Sequence, residues 1–333
     1  MSVNANTHEL RIGVDIGGTK VAAGLIAPNG VVLSRERVPM VATRDAMAGF
    51  AAVEAAIQSV LEKHELSGKP IAGIGVCSPG PLDPRTGVVI NPPNLPCWRN
   101  FPLAGKVQHR FGVATKVDND ANAAALAETI WGAGIGFQNV FYATLGTGVG
   151  TGIIFDQQIY HGRTGSAAEG GHMTIDYRGS RANCGCGKPG CVEGLCSGNS
   201  IARRARERVL AGANGARLVE LAGGSVEQIT GEHVGMAYQQ GDTLATDVLR
   251  ETADFLTIWF GNIVDLLEPD VIIVGGGVAE LMSSFFGHIR EELPNWSINQ
   301  RCQEIPIVKA RYGNDAGIVG AAALIGDVIV QAR

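Results

Sequence analysis

The chain lacks the features of a membrane, secreted or nucleic-acid-binding protein. No apolar run reaches the roughly 20 residues that a membrane helix needs, and residues 1–8 lack the apolar region of a signal peptide. Basic residues are not in excess, since 27 Lys and Arg stand against 32 Asp and Glu, a formal net charge of −5. With 45% hydrophobic residues among 333, the composition predicts a globular cytoplasmic protein with two domains and no membrane or nucleic-acid partner.

Two common nucleotide-binding motifs are missing as well. A Walker loop needs GxxxxGK[ST] and a dinucleotide fingerprint needs GxGxxG, and each joins a strand to a helix. After Gly146-Thr-Gly148, Thr151 occupies the place of the third glycine. After Gly275-Gly276-Gly277, Glu280 does so. The sequence therefore argues against a Walker loop and against a dinucleotide-binding fingerprint.

What the chain does contain is a short segment rich in metal ligands. Three of its seven cysteines, Cys184, Cys186 and Cys191, follow His172 closely. Three thiolates and one imidazole fill a tetrahedral zinc and leave no position for a catalytic water, so such a site is structural. The alternative is a set of free thiols in a glycine-rich loop. The other cysteines are interpreted as reduced, small apolar residues: Cys77, Cys97, Cys196 and Cys302.

The order of strand and helix patterns indicates an internal duplication. A strand, a glycine turn and a second strand occur at Leu10–Ile26 and again at 139–155. Two similar α/β halves are expected to face each other across a cleft with one glycine turn on each wall. Further strands are predicted at 31–38, 71–76, 116–117 and 271–274, and helices at 45–63, 120–129, 199–211, 226–239, 242–265 and 317–325.

Both glycine turns join strand to strand, so their backbone N–H groups are free to face phosphate oxygens. Thr19 and Thr147 could add hydroxyl donors, and Asp15 could hold the hydration shell of Mg²⁺. The alternative for either turn is an ordinary glycine hairpin.

Asp120 opens the predicted helix at 120–129 and has two interpretations. It could accept a proton from a substrate hydroxyl as a general base, or it could simply cap the helix N-terminus. The sequence alone does not separate these roles, and Asn119 next to it could also supply the cap.

Taken together, these motifs resemble those of the ROK family of sugar kinases and sugar-responsive repressors, collinearly over residues 10–326. The zinc pattern is the most specific part of the resemblance, whereas the glycine turns alone would be weak. The matching motifs are Asp15-Ile-Gly-Gly-Thr-Lys20, Ser78-Pro-Gly-Pro-Leu-Asp-Pro84 with Asn94-Leu-Pro, Asn119-Asp-Ala-Asn122, Leu145-Gly-Thr-Gly-Val-Gly150, Glu169-Gly-Gly-His172, Cys184-Gly-Cys-Gly-Lys-Pro-Gly-Cys-Val-Glu193 and Val274-Gly-Gly-Gly277.

The resemblance implies an actin-like ATPase (hexokinase/Hsp70) fold of class α/β, with a structural zinc. It implies an N-terminal lobe of residues 1–118 plus a C-terminal helix at 317–333, and a second lobe of residues 119–316. The implied activity is glucokinase-like: ATP-dependent phosphorylation of the 6-hydroxyl of a hexose, glucose above all, in glycolysis. ATP, Mg²⁺ and structural Zn²⁺ are the implied cofactors, and a homodimer or homotetramer is the implied assembly.

The resemblance also assigns roles to individual residues, with Asp120 as the general base. Gly80 and Asn94 could instead be an ordinary turn glycine and turn asparagine. The implied metal ligands are His172, Cys184, Cys186 and Cys191; the implied sugar contacts are Gly80, Asn94, Asn119, Asp120, Glu169, His172 and Glu193; the implied nucleotide contacts are Asp15, Gly17, Gly18, Thr19, Lys20, Gly146, Thr147, Gly148, Gly275, Gly276 and Gly277.

Two alternative functions remain. The same family includes kinases of N-acetylmannosamine, N-acetylglucosamine, fructose and allose. The motifs do not indicate the shape of the pocket around the sugar 2-substituent, so these substrates stay open. The family also includes transcriptional regulators, which carry an N-terminal helix-turn-helix. Because the first phosphate loop begins at Asp15, no room for a helix-turn-helix is expected before it.

Overall fold

The computed structural model describes residues 10–42, 45–65, 71–178 and 184–326. The last part of the C-terminal helix predicted for 317–333, residues 327–333, lies outside them. The strands are β1 (Leu10–Ile16), β2 (Lys20–Ile26), β3 (Val32–Pro39), β4 (Ile71–Ser78), β5 (Leu82–Asp83), β6 (Val88–Val89), β7 (Thr115–Asn119), β8 (Val140–Leu145), β9 (Val149–Phe155), β10 (Gln158–Ile159), β11 (Val271–Gly275) and β12 (Ile307–Lys309).

The helices lie mainly between and after these strands. They are α1 (Ala46–Glu65), α2 (Leu103–Phe111), α3 (Asp120–Trp131), α4 (Val192–Cys196), α5 (Gly198–Leu210), α6 (Ala216–Leu221), α7 (Gly231–Gln239), α8 (Thr243–Leu267), α9 (Gly277–Met282), α10 (Phe286–Glu292) and α11 (Ala316–Ala323). None of these helices, within the described ranges, is both long and apolar enough to cross a lipid bilayer.

The first five-stranded sheet has the order β3-β2-β1-β4-β7. β2 runs antiparallel to both β1 and β3, whereas β4 is parallel to β1 and β7 is parallel to β4. The register pairs Asp15 with Ala22 on one side and with Cys77 on the other. Parallel pairing brings the carboxyl ends of β1, β4 and β7 to one edge of the sheet, where Asp15 and Asn119 lie.

The second five-stranded sheet repeats this order with β10-β9-β8-β11-β12. β11 is parallel to both β8 and β12, and β10 is antiparallel to β9. In both sheets the first strand of the set is central, its two successors lie on one side and two parallel strands lie on the other. This repeated topology confirms the duplication that the sequence pattern predicts.

By their contacts the residues divide into two compact units. Unit 1 comprises Met1–Asn139, Gly152–Ala168 and Tyr312–Arg333, and unit 2 comprises Val140–Thr151 and Glu169–Arg311. Helix α3 and residues 152–168 thus belong with unit 1 by contact, although the sequence places the lobe boundary at residue 118. The two lobes as drawn from the resemblance remain a prediction.

In unit 1, helix α11 lies directly on the sheet. A β-carbon at Gly13 of β1 would overlap the carbonyl of Ile318, and one at Gly75 of β4 would overlap the carbonyl of Ala321. Only glycine allows a helix backbone to approach two adjacent strands this closely. The approach fixes the first turn of α11 near the carboxyl end of β1, where Asp15 lies.

The hydrophobic cores are well filled in both units. In unit 1, the buried Trp98 stacks on Phe101 with ring centroids 4.9 Å apart and donates its ring N–H to the carbonyl of Ala46, 3.1 Å away. In unit 2, the buried Trp259 of α8 meets Phe141 of β8 edge to face, with centroids 5.6 Å apart. Such aromatic pairs add to the stabilisation from area burial, and they hold α8 against the strand that leads into Gly146.

The strands and long helices predicted from periodicity are present, with ends displaced by a few residues. One prediction is wrong: residues 226–239 are not a single helix. A 3₁₀ turn at Val226–Gln228 precedes α7, because Thr230 caps α7 in a capping box with His233 and so starts a new helix. Elements of nine residues or fewer contain too few repeats for a periodic pattern to stand out. Those not predicted from the sequence are α2, α4, α6, α9, α10, β5, β6, β10 and β12.

Candidate active site

The junction between β7 and α3 presents the predicted base. Asn119 is the N-cap of α3, and its Oδ1 accepts from the backbone N–H of Ala121 at 2.9 Å and of Asn122 at 3.4 Å. Asp120 is therefore the first helical residue and not the cap, although its Oδ1 also accepts from Ala121 N at 2.8 Å. Asp120 is exposed as a residue, yet desolvation by the surrounding protein raises the pKa of its carboxyl.

Asp118 braces this junction from behind, a role that the sequence analysis missed. Its Oδ1 accepts from Asn119 N at 2.7 Å and from Asn122 Nδ2 at 3.1 Å, and its Oδ2 lies 2.6 Å from His161 Nε2. The Asp118 side chain is almost fully buried. The only signal in the sequence is an acidic residue next to Asn119-Asp120, and nothing local indicates that His161 would reach it.

Asp15 lies at the carboxyl end of β1, packed against the first turn of α11. A β-carbon at Gly317 would overlap the Asp15 carboxylate. Burial and the negative charge of Asp120 raise the pKa of Asp15 to about 6, against a smaller opposing effect of Lys20. Two neighbouring carboxylates concentrate negative charge, which is the environment that a hydrated dication neutralises. Asp15 and Asp120 therefore fit the chemistry of a Mg²⁺ site.

The first glycine turn, Gly17–Thr19, joins β1 to β2. Gly17 donates its N–H to the carbonyl of Lys20 at 2.9 Å, and a β-carbon at Gly18 would lie 3.0 Å from the carbonyl oxygen of Asn94. The structure thus brings this turn against one of the loop residues predicted to contact sugar. The other one, Gly80, faces Asn119, whose Nδ2 would lie 3.9 Å from a β-carbon at Gly80.

The second glycine turn, Gly146–Gly148, joins β8 to β9 in unit 2. Gly146 donates its N–H to the carbonyl of Gly148 at 2.9 Å and accepts from Gly198 N, at the start of α5, at 2.7 Å. The predicted adenosine loop is adjacent: Gly276, with φ of +86°, would overlap the carbonyl of Leu145 if it carried a β-carbon. Unlike the two turns, this third glycine run joins a strand, β11, to a helix, α9.

The four predicted metal ligands converge in unit 2. One ligand atom from each of His172, Cys184, Cys186 and Cys191 lies within 4.8 Å of every other. The Cys186 and Cys191 sulfurs are 3.8 Å apart, and Cys184 Sγ is 3.6 Å from His172 Nδ1. A tetrahedral zinc with Zn–S of about 2.3 Å has ligand separations of about 3.8 Å, so the cluster fits Zn²⁺. No disulfide uses these sulfurs.

The two predicted carboxylate contacts flank this cluster. Glu169 precedes the 3₁₀ turn Gly170–His172 and accepts from His172 N at 3.0 Å through its carbonyl. Glu193, the second residue of α4, has Oε1 3.1 Å from Cys184 Sγ and accepts from Val149 N through Oε2 at 2.9 Å. The contact between Glu193 and the start of β9 was not predicted from the sequence.

The predicted site residues thus form two groups. Within unit 1 the structure brings together the first glycine turn, the loop residues at 80 and 94, and the acidic group at 15 and 118–120. Within unit 2 it brings together the second glycine turn, the glycine run at 275–277 and the cluster with its flanking carboxylates. The first group includes two carboxyls with raised pKa, those of Asp15 and Asp120, which suits proton transfer. The second offers backbone N–H groups, which suit anion binding, beside a cluster of possible metal ligands.

Comparison with known proteins identifies the family of the chain. The ROK family pattern matches residues 11–328 of the chain. A glucokinase from Streptomyces coelicolor is 37% identical over 317 residues, which cover 95% of this chain and 97% of that protein. The crystal structure of a ROK family glucokinase from Streptomyces griseus, in complex with glucose and AMPPNP, is 39% identical with a TM-score of 0.78, covering 95% of this chain and 98% of that one.

A regulator shares the fold at lower identity. The crystal structure of a ROK family transcriptional regulator, a homolog of the E. coli MLC protein, has a TM-score of 0.83 and 26% identity, covering 95% of this chain and 77% of that one. Together with the repeated sheet order, these similarities confirm the predicted actin-like ATPase fold. The chain therefore belongs to the ROK family.

Proposed function

We propose that this protein is an ATP-dependent hexose kinase that transfers the γ-phosphoryl group of ATP to the 6-hydroxyl of glucose, with Asp120 as general base. Support comes from the two glucokinases that match nearly the whole chain at 37% and 39% identity, one of them crystallised with glucose and an ATP analogue. The regulator of the same fold is more distant, at 26% identity.

The observation that carries the proposal is that Asn119 caps α3, whereas Asp120 is the first residue of the helix. Because Asn119 supplies the cap, Asp120 is not required for capping and presents its second carboxylate oxygen to other partners. Burial raises the pKa of the Asp120 carboxyl, so its ionised form is a stronger proton acceptor than an ordinary aspartate. Capping and base catalysis are thus assigned to neighbouring residues.

In this mechanism the sugar O6 attacks the γ-phosphorus of ATP. Asp120 accepts the O6 proton, a bond forms between O6 and the γ-phosphorus, and the bond from that phosphorus to the bridging oxygen breaks to release ADP. The barrier falls mainly through alignment and charge stabilisation. Asp118 supports the step indirectly, since it holds Asn119 N and Asn122 Nδ2 and so fixes the first turn of α3.

The glycine turns are assigned to the nucleotide. The N–H groups of Gly17 and Gly146 are used within the turns. The remaining N–H groups of the turns, with the exposed side chains of Thr19, Lys20 and Thr147, would face phosphate oxygens, and the glycine run Gly275–Gly277 would face adenosine. Mg²⁺, when bound with ATP, neutralises charge on the phosphates. Asp15 would hold its hydration shell.

The sugar contacts are assigned to Asn119, Glu169, His172 and Glu193, with Gly80 and Asn94 from the connecting loop. His172, Cys184, Cys186 and Cys191 would hold Zn²⁺, which supplies no reaction step and orders the segments carrying Glu169 and Glu193. A metal-bound Cys184 has no proton to donate, so Glu193 Oε1 would be available to a sugar hydroxyl. Each such acceptor also discriminates against a sugar that lacks the hydroxyl.

The test is a coupled ADP-release assay with ATP and Mg²⁺ across hexoses and N-acetylhexosamines. We expect the highest kcat/KM with glucose. Preference for N-acetylmannosamine, N-acetylglucosamine, fructose or allose would keep the kinase and change its substrate. Absence of ADP release with every sugar, combined with sugar-dependent DNA binding, would replace the kinase by a regulator.

A cytoplasmic location and a homodimer or homotetramer remain part of the proposal. Size-exclusion chromatography with light scattering measures the assembly. A monomer at micromolar concentration would remove that part and leave the kinase intact.

A further inference from the structure

The segment from Cys191 to Gly198 holds the second glycine turn at both of its ends. It begins at a metal ligand, passes through α4 and reaches the first residue of α5. Glu193 Oε2 accepts from Val149 N at 2.9 Å just after the turn, and Gly198 N donates to the carbonyl of Gly146 at 2.7 Å at its start.

A second part of the metal cluster contacts the same strand. Gly171 directly precedes the ligand His172, and a β-carbon there would overlap the carbonyl of Val149. Gly170 N donates to Thr151 Oγ1 at 2.8 Å. Val149, the first residue of β9, thus donates its N–H to Glu193. Its carbonyl packs closely against Gly171.

The backbone of Glu193 is anchored to the start of α5. Its carbonyl accepts from Ser200 Oγ at 2.9 Å and from Ser197 N at 3.2 Å. A β-carbon at Gly148 would lie 2.6 Å from Glu193 Oε2. The turn and the carboxylate are therefore packed so closely that moving one displaces the other.

We propose that Glu193 is a positioning residue for the second glycine turn, and that through it the metal cluster orders the nucleotide-phosphate loop as well as the sugar-contacting segments. The inference rests on the proposed function in one respect, namely that this turn binds nucleotide phosphates. A turn whose N–H groups are already oriented binds an anion without a further ordering cost. Metal loss should therefore weaken nucleotide binding even when no sugar is present.

The experiment measures Mg²⁺-ADP affinity of the full-length protein by calorimetry without sugar. Glu193→Ala removes the acceptor, and Glu193→Gln keeps a neutral one. Glu207→Gln is the control, because Glu207 is an exposed carboxylate of α5 that pairs with Arg203. We expect the ADP Kd to rise about tenfold in Glu193→Ala, in line with one charge-assisted hydrogen bond. The rise should be smaller in Glu193→Gln and under about twofold in the control.

Amide hydrogen exchange of residues 145–152 without any ligand is the second readout. Exchange should quicken in Glu193→Ala and in wild-type protein stripped of metal by a chelator, but not in Glu207→Gln. Chelation should also raise the ADP Kd of wild type more than that of Glu193→Ala, because metal removal and the substitution disrupt the same contact, between Glu193 and Val149 N. If Glu193→Ala does not fold, the ADP Kd and the exchange rates of Glu193→Gln and of chelated wild type test the proposal.

The outcomes separate this inference from the proposed function. If wild type phosphorylates glucose while the ADP Kd and exchange are unchanged in Glu193→Ala and after chelation, the positioning role is refuted and the kinase stands. If wild type binds no Mg²⁺-ADP, the proposed function fails and the nucleotide half of the inference fails with it. Exchange then still decides whether Glu193 orders the turn.

Discussion

The two glycine turns follow the same chain path but are supported by different kinds of contact. In each, the first glycine donates its N–H within the turn at 2.9 Å, to Lys20 O in one case and to Gly148 O in the other. The first turn then packs on the backbone of Asn94. The second packs on the carboxylate of Glu193, two residues from a metal ligand.

The two units therefore share a strand topology, but the contacts that stabilise their glycine turns differ. The first turn depends on a loop of its own unit and lies near the acidic residues assigned to chemistry. The second depends on a segment that begins at Cys191, one of the four predicted metal ligands. Substitutions in unit 1 should therefore affect the reaction, whereas loss of metal should affect binding and stability.

The largest effect is expected at Asp120. Asp120→Asn should lower turnover about 10²–10⁴-fold with little change in glucose affinity, since the general base is lost and the helix cap at Asn119 remains. Steady-state kinetics and calorimetry measure the two quantities. Asp156→Asn is the control, because asparagine tolerates the φ of +47° at that turn. Near-normal turnover of Asp120→Asn would exclude it as the base.

Loss of the metal should come next. Cys186→Ala is expected to weaken glucose binding about a hundredfold and to lower Tm, because ligand binding and local folding are coupled. Cys302→Ala removes a buried sulfur outside the cluster and is the control. Metal analysis, calorimetry and a thermal melt make the comparison. Active protein that contains no zinc would contradict the prediction.

The two glycines of the second turn give a sharper comparison. A β-carbon at Gly148 would lie 2.6 Å from Glu193 Oε2, whereas one at Gly146 would meet nothing within 4 Å. Gly148→Ala should therefore raise the KM for ATP about tenfold, the range expected of overpacking, and Gly146→Ala less than about threefold. Equal effects in the two variants would show that the packing on Glu193 is irrelevant.

The smallest effect concerns Asp15 and stability. Its pKa in the folded protein, about 6, lies above the ordinary value of 3.8, so its contribution to stability is present below about pH 4 and is lost as pH rises through about 6. The difference corresponds to about 3 kcal/mol for a fully buried group. We expect about 1 kcal/mol, because Asp15 is only partly buried.

Asp15→Asn should therefore raise the free energy of unfolding at pH 7 by about 1 kcal/mol and flatten its dependence on pH between 4 and 6. Urea unfolding without nucleotide and Mg²⁺ measures this. Asp156→Asn should leave the curve unchanged. A less stable Asp15→Asn at pH 7 would show that the carboxylate stabilises the fold.

Much of this could be predicted from the sequence, and the failures have a physical pattern. The alternating pattern of Leu10–Ile16, the helical spacing of 45–63 and the alanine-rich run Asp120–Thr129 are local signals, and the structure has elements there. The metal ligands are close in sequence, so their spacing alone restricts them to one site. Helix α2 was missed because nine residues make only about two and a half turns, too few for the spacing of Leu103 and Val107 to repeat. The pairing of Asp118 with His161 joins residues 43 positions apart.

The sequence by itself determined the repeated α/β pattern, the cysteine and histidine cluster and the acidic residue at a helix start, because each depends on neighbours along the chain. Only the tertiary structure decided that Asn119 and not Asp120 caps α3, that Asp118 braces it with His161, and that Glu193 holds Val149. The Asn119 cap depends on the local backbone geometry where β7 meets α3, and the other two contacts join residues 43 and 44 positions apart. They exist only after parallel strands have brought their carboxyl ends to a common edge and the cluster has closed its loop.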